Sequence, residues 1–453
     1  MATSDSGGRF DALLSRMGPT WLAGAIAAGP ATMASLLTAG AGYGYTLLWI
    51  VLLSALLGAT AQFLAMRLGL LTEAGIVSVV EDRLGSRWAW LLVGDAVLAS
   101  GLAQLVIMKT VADVSATITG VSNVVWAVVW GVVLAVGLAG GGYRIAEMGA
   151  KVLVSLVVLA FVASLVVVPV DLGAAATGLV PQIPAGTSGA LAAAGILGGA
   201  VHITLITMQS YTMRAKQWTR DEYDLAVTDI GASMLVAFGV YSLAIFLVAA
   251  GVLHSAGAVS ADGLTATAAA QALGPLVGEN AKWLFLLGLW GAAISTLGGN
   301  TTVPPYLMAD KLGWETDVSD SRYRAAIVVT ALVGIGGVFL GGAFFPLLVL
   351  VLAFGLVGTP FAIALVLFLL NDTETVSETN SVAANVAGLV LIGVTTVTAG
   401  SFLRGQVAAG LGDPITLFVV IFAAVLGVAT LGLLALFVRD WGSREPAAQE
   451  SLD

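Results

Sequence analysis

The sequence predicts an all-α integral membrane protein, a bundle of about twelve transmembrane helices. Three observations predict it. Of 453 residues, 58% are hydrophobic and only 10% are charged, against about 25% charged in an ordinary soluble domain. Apolar stretches of about 20 residues, the length that crosses a bilayer, follow one another nearly end to end. Basic residues collect in alternate connections.

Taken in order, the expected spans are 20–42, 44–67, 88–111, 122–140, 145–170, 188–213, 225–252, 280–309, 323–342, 344–370, 382–400 and 414–438. Gly40 to Gly44 supply the turn between the first two. Twelve spans put both termini on one side. If that side is cytoplasmic, 15 of the 18 Lys and Arg residues lie inside, and only Lys109, Lys282 and Arg404 lie outside. Positive charge stays inside, so the expected location is the cell membrane with both termini cytoplasmic. Residues 1–18 and 439–453 are expected as cytoplasmic tails, 19–370 as a transporter core and 371–438 as two accessory helices.

Composition also excludes function classes. The chain has no cysteine, so it has no disulfide framework, thiolate metal site or thiol nucleophile. No basic cluster suggests nucleic acid. No catalytic motif is present, so neither an enzyme nor a resident cofactor is expected. The expected partners are the lipid bilayer and a small solute or metal ion. The connections are short, which places function among the helices and favours a transporter.

Irregular backbone at membrane depth survives only where protein or water covers it. Gly29-Pro30, near the middle of span one and followed by Thr32 and Ser35, marks either a helix break or a proline kink. Span six carries Gly198-Gly199-Ala200-Val201-His202, then Thr204, Thr207 and Gln209. These are the first helices of two successive five-helix halves, about 19–170 and 188–370. Interruptions there are the pattern of an inverted-repeat (5+5) transporter. Gly29, Thr32, Ser35, Val201, His202, Thr204 and Thr207 are the expected substrate-binding residues. Thr32 and His202 are the candidate metal ligands. Asp95, Gln104, Gln209 and Asn300 are candidates for a transport path, since intramembrane polar groups commonly face the bundle interior.

The ordered motifs resemble the NRAMP (natural resistance-associated macrophage protein) divalent metal transporters. Gly29-Pro30 and the stretch Gly42-Tyr43-Gly44-Tyr45-Thr46-Leu47-Leu48-Trp49 resemble that family's first helix and the entry to its second. Trp90-Leu91-Leu92-Val93, Gly198-Gly199-Ala200-Val201, Ser295-Thr296 with Tyr306-Leu307-Met308, and Pro360-Phe361-Ala362-Ile363-Ala364-Leu365 follow in the family's order. The resemblance implies the LeuT-type fold and alternating access for a divalent cation.

The family's ligand positions are altered. The aspartate and asparagine of its first-helix motif fall on Gly29 and Thr32. Its Met-Pro-His motif falls on Ile203-Thr204-Leu205, just after His202. Its third-helix acids fall on Gly101 and Gln104, its tenth-helix glutamine on Gly358 and its eighth-helix glutamine on Ile294. Without a soft thioether the site loses selectivity for transition metals. A hydrated Mg²⁺, which gives up water reluctantly, tolerates a roomier site. The expectation is therefore a secondary transporter of Mg²⁺ or Mn²⁺ class cations without family-type proton coupling. The same fold carrying a neutral or anionic solute, and a non-transporting membrane sensor, are the alternatives.

Overall fold

The computed structural model describes residues 29–140, 144–257, 264–412 and 414–442. The expected N-terminal tail and the part of span one before Gly29 lie outside the described residues. So does most of the expected C-terminal tail.

Helices account for the described spans. In chain order they are α1 (Pro30–Tyr43), α2 (Leu48–Thr72), α3 (Ile76–Leu84), α4 (Ser86–Thr119), α5 (Asn123–Gly140), α6 (Arg144–Val167), α7 (Leu172–Thr177), α8 (Thr187–Val201) and α9 (Ile203–Ala215). Then come α10 (Arg220–His254), α11 (Ala281–Leu312), α12 (Ser321–Val333), α13 (Phe344–Val357), α14 (Thr359–Asn371), α15 (Val382–Ala409) and α16 (Pro414–Gly442). Among the described residues, eleven helical spans are long and apolar enough to cross a membrane. α1 is the described part of the remaining expected span.

Burial sorts the helices into inner and outer layers. In the span formed by α13 and α14, 94% of the most apolar stretch is buried, and in the α8–α9 span 89%. For α5 and α16 the share is 22%. Both outer helices are as apolar as the inner ones, and α5 exposes Val124, Val128, Val132 and Val136 at helical spacing. An exposed apolar stripe of this kind is the surface a lipid solvent requires. α1 packs on α8, α13 and α10; α4 packs on α11 and α13; α16 packs outside on α14 and α15.

Local chemistry sets the helix ends. α4 stops at Gly120 (φ 75°) and α11 at Gly313 (φ 66°), where the left-handed conformation closes the last turn. α4 runs to Thr119, eight residues beyond its expected end, and Lys109, expected on the outer side, lies ten residues before that end and pairs with Asp113 at 3.2 Å. α11 contains Pro304 and Pro305 in its interior. Pro304 has no N–H for the Asn300 carbonyl. The Ser100 hydroxyl of α4 donates to that carbonyl instead, at 3.3 Å.

α3 was not among the expected spans. It is a nine-residue helix joining α2 to α4, capped by groups from distant helices. Asp310 Oδ2, on α11, accepts the Ser78 backbone N–H at 3.1 Å and the Tyr211 hydroxyl, from α9, at 2.6 Å. Ser210 Oγ, also on α9, accepts the Ile76 N–H at 3.1 Å. At the other end, Arg83 grips both oxygens of Asp372, just past α14, at 2.6 and 3.0 Å. Lys311 pairs with Glu81 at 2.9 Å. The Lys311 ammonium holds Glu81 below the usual carboxylate range. Burial alone would raise Asp372, but the Arg83 fork and the Thr375 hydroxyl outweigh it and hold the carboxyl below its ordinary value. One short helix thus ties α9, α11 and the end of α14 together.

Candidate functional site

The helix breaks meet in the middle of the bundle. Gly29 is extended (φ −61°, ψ 174°) and α1 starts at Pro30. A proline suits a first helical position because its missing N–H would have no intrahelical partner there. The sixth span is broken at one residue, His202 (φ −58°, ψ 139°), which ends α8 and begins α9. A break there frees the Val201 carbonyl, because the Leu205 N–H bonds to the His202 carbonyl. The Thr359 hydroxyl, at the start of α14, donates to the Val201 carbonyl at 2.6 Å.

His202 acts as the N-cap of α9. Its Nδ1 accepts the Thr204 backbone N–H at 3.3 Å and lies 2.8 Å from the Thr204 hydroxyl. A backbone N–H can only donate, so Nδ1 carries the lone pair in this arrangement and Nε2 carries the proton. Nε2 faces the Gly355 turn of α13, with the Val351 backbone as its partner. His202, a candidate metal ligand in the sequence, is engaged through its ring in this conformation. One ring nitrogen is committed to the cap and the other is a donor.

Missing side chains make room for polar ones. A β-carbon placed on Gly199 would lie 2.8 Å from Thr32 Oγ1, and one on Gly195 would lie 2.8 Å from Ser35 Oγ. On Gly29 it would lie 2.9 Å from Thr296 Oγ1. On Gly355 it would lie 1.8 Å from His202 Nε2, and on Gly358 it would lie 2.0 Å from Asp95 Oδ2. These glycines let α1 approach α8 and α11, let His202 enter α13, and let Asp95 of α4 enter the α13–α14 junction. With the α4–α11 bonds below, they close a ring running α1, α8, α13–α14, α4, α11 and back to α1.

The expected binding residues are unequal in this setting. Gly29, Thr32, Ser35, Val201 and His202 are buried at the breaks, and Ser35 Oγ has no hydrogen-bond partner. Thr204 is half-buried beside His202. Thr207 turns its hydroxyl back to the Ile203 carbonyl of its own helix at 3.0 Å. Gln209 is half-buried further along α9.

The four candidate path residues do not share one face. Asp95 and Gln104 are nine residues apart, about two and a half helical turns, so they point to opposite sides of α4. Asp95 faces the α13–α14 junction, and Gln104 faces α11. There Gln104 Nε2 donates to Thr301 Oγ1 at 2.8 Å, and Asn300 Nδ2 donates to Gln104 Oε1 at 3.0 Å and to the Ser100 carbonyl at 2.8 Å. Gln104 and Asn300 thus clamp α4 to α11.

Gly355 and Thr359 escaped the sequence reading, and Thr296 entered it as part of a motif and not as a site residue. The available signal for Thr359 was Gly358-Thr359-Pro360, a break signature inside an apolar run. Among the described residues, no three His, Cys, Asp or Glu side chains gather as a metal cluster. A cavity of about 650 Å³ lined by Tyr45, Asp171 and His254 opens near Tyr43, roughly 20 Å along α1 from the break.

Discontinuous helices joined at mid-bundle define a multi-pass membrane transporter of the LeuT-type fold. Residues 20–404 match the family model of natural resistance-associated macrophage protein-like (Nramp) proteins, and the chain belongs to that family. It is thus a transporter and not an enzyme. It is similar to the divalent metal cation transporter MntH of Pectobacterium carotovorum, 29% identical over 297 residues, 62% of this chain and 69% of that one. The MntH of Acidiphilium cryptum is 28% identical over 356 residues, 72% of this chain and 78% of that one. Among solved structures, the Eremococcus coleocola manganese transporter superposes with a TM-score of 0.72 over 97% of each chain at 17% identity. Mhp1, a nucleobase-cation-symport-1 family transporter, superposes with a TM-score of 0.51 at 15% identity, over 94% of this chain and 92% of that one. At these identities the structural likenesses establish the fold.

Proposed function

We propose that the chain carries a divalent metal cation of the Mg²⁺ or Mn²⁺ class across the cell membrane by alternating access, both termini being cytoplasmic. The observation that carries this reading is the meeting of the α1 start with the α8–α9 break, where Thr32 fills the space beside Gly199. Relatives named as divalent metal cation transporters support the cargo. Two five-helix repeats, 19–170 and 188–370, form the moving core, and α15 and α16 are accessory to it. Gly101 and Gln104 carry no acid, so transport runs without family-type proton coupling. The hydroxyls and carbonyls around the breaks are hard oxygen donors, which suit a cation that keeps part of its water shell.

Uptake of Mg²⁺, Mn²⁺ and small organic solutes into proteoliposomes, with a pH dye inside, tests the reading. Saturable cation entry without internal acidification is expected. Entry of an organic solute alone would sink the metal cargo in favour of the neutral or anionic alternative. Thr32→Ala should slow uptake, and wild-type rates would remove Thr32 from the site. His202→Ala should also slow it, while His202→Asn should retain most activity because asparagine caps helices well.

A further inference from the structure

We propose that Asp95 supplies the negative charge of the cation site, presented from α4 through the gap that Gly358 leaves at the α13–α14 junction. The inference rests on the cation-transport reading and names the group that reading lacks. The first-helix motif, Gly29-Pro30-Ala31-Thr32, is neutral. A doubly charged ion leaving water needs an anionic partner at membrane depth.

Three acids are buried among the described residues, namely Asp95, Asp229 and Asp372. Asp229 pairs with Lys216 at 3.1 Å and Asp372 with Arg83 at 2.6 Å. Asp95 is 2% exposed, takes part in no ion pair among the described residues, and its Oδ2 has no hydrogen-bond partner. A carboxylate removed from water without a partner is strongly disfavoured. Its retention at this point calls for a ligand that arrives during the working cycle.

Position supports the same ligand. Gly355 and Gly358 are three residues apart and share one face of the span, with β-positions about 5–6 Å apart. His202 Nε2 fills the first gap and Asp95 Oδ2 the second. The carboxylate is therefore no more than about 10 Å from the ring that marks the α8–α9 break. The residue after Gly358 is Thr359, whose hydroxyl holds the freed Val201 carbonyl. Carboxylate, hydroxyl and carbonyl oxygens form a hard donor set, while the imidazole lone pair is spent on the α9 cap. That chemistry selects a hard divalent cation that retains some water over a thiophilic one.

The test uses full-length protein in proteoliposomes, with Mg²⁺ and Mn²⁺ as probes and two readouts, saturable influx and the rise in melting temperature on adding the cation. Asp95→Asn keeps the shape and removes the charge. It should raise the half-saturating concentration roughly 10- to 100-fold, the range for losing a charge-assisted contact, and abolish the cation-dependent rise. The swap Asp95→Gly with Gly358→Asp returns a carboxylate to the same space from the opposite helix and should restore both. Wild-type influx and melting response in Asp95→Asn would overturn the proposal. If Asp95→Asn is not monodisperse, a folded swap without cation uptake would overturn it instead. Absence of divalent influx in the wild-type protein would defeat the transport reading itself, and this proposal with it.

Discussion

The Thr359 hydroxyl and the Val201 carbonyl form a 2.6 Å hydrogen bond across the α8–α14 contact. It repairs the one-residue break in the sixth span with a side chain from the tenth. Breaks at membrane depth persist when neighbouring side chains satisfy the freed groups, and this bond is such a repair. Thr359→Val keeps the volume and removes the donor. It should cost about 1–3 kcal/mol, the penalty for an unsatisfied buried acceptor, and appear as a lower melting temperature in detergent. Thr359→Ser should recover most of the loss. Equal melting for Val and Thr would show that the carbonyl has another partner.

Substituting glycine in a helix usually stabilises it, because alanine has the better propensity by about 1 kcal/mol. At Gly355 and Gly358 the sign should reverse. The added β-carbon meets His202 or Asp95 at or below 2.0 Å, and overpacking of this kind costs roughly 1–3 kcal/mol. Gly94→Ala is the control, since nothing lies within 4 Å of its β-position. Thermal unfolding of the three variants should give two losses and one neutral or positive result.

Asp310 is predicted to hold α3 in place. Asp310→Ala removes acceptors for the Ser78 N–H and the Tyr211 hydroxyl, with an expected cost of about 1–2 kcal/mol by analogy with a lost N-cap. Hydrogen exchange of 76–84 should accelerate while the helices around His202 keep their protection. Acceleration spread evenly over the whole chain would contradict a local latch.

The same latch should be sensitive to acid. Glu81 and Asp372 both lie below their ordinary values in the folded protein. A depressed carboxyl adds stability that is fully present above its unfolded value and is lost as pH falls through the folded one. Stability should therefore hold at neutral pH and fall below about pH 4. Arg83→Gln should make the melting temperature less sensitive to pH in that window. An unchanged slope in that variant would dissociate Asp372 from the acid response.

The spans and their order were legible in the sequence because lipid imposes a length and an apolar composition on each. The interruptions at Gly29 and near His202 were also visible, as glycine, proline and hydroxyl residues where an apolar run should continue. The capping duty of His202 was hidden, since it depends on a one-residue break that no periodicity marks. The helix α3 was hidden for another reason. Its caps, Ser210 and Asp310, lie more than a hundred residues away in sequence. Asp95 and Gln104 read alike as polar groups in one span. Helical geometry sends one to the α13–α14 junction and the other to α11.

The fit of Asp95 into the space over Gly358 also constrains how such a chain can diverge. Neither position can change its size alone. A larger residue at 358 meets the carboxylate, and a shorter one at 95 leaves a hole at a membrane-buried junction. Among related sequences the two columns should vary together, glycine at 358 accompanying an acid at 95 and a bulkier residue accompanying a small one. A lineage that exchanges this pair passes through a poorly packed intermediate, so the arrangement, once acquired, resists reversal by single steps.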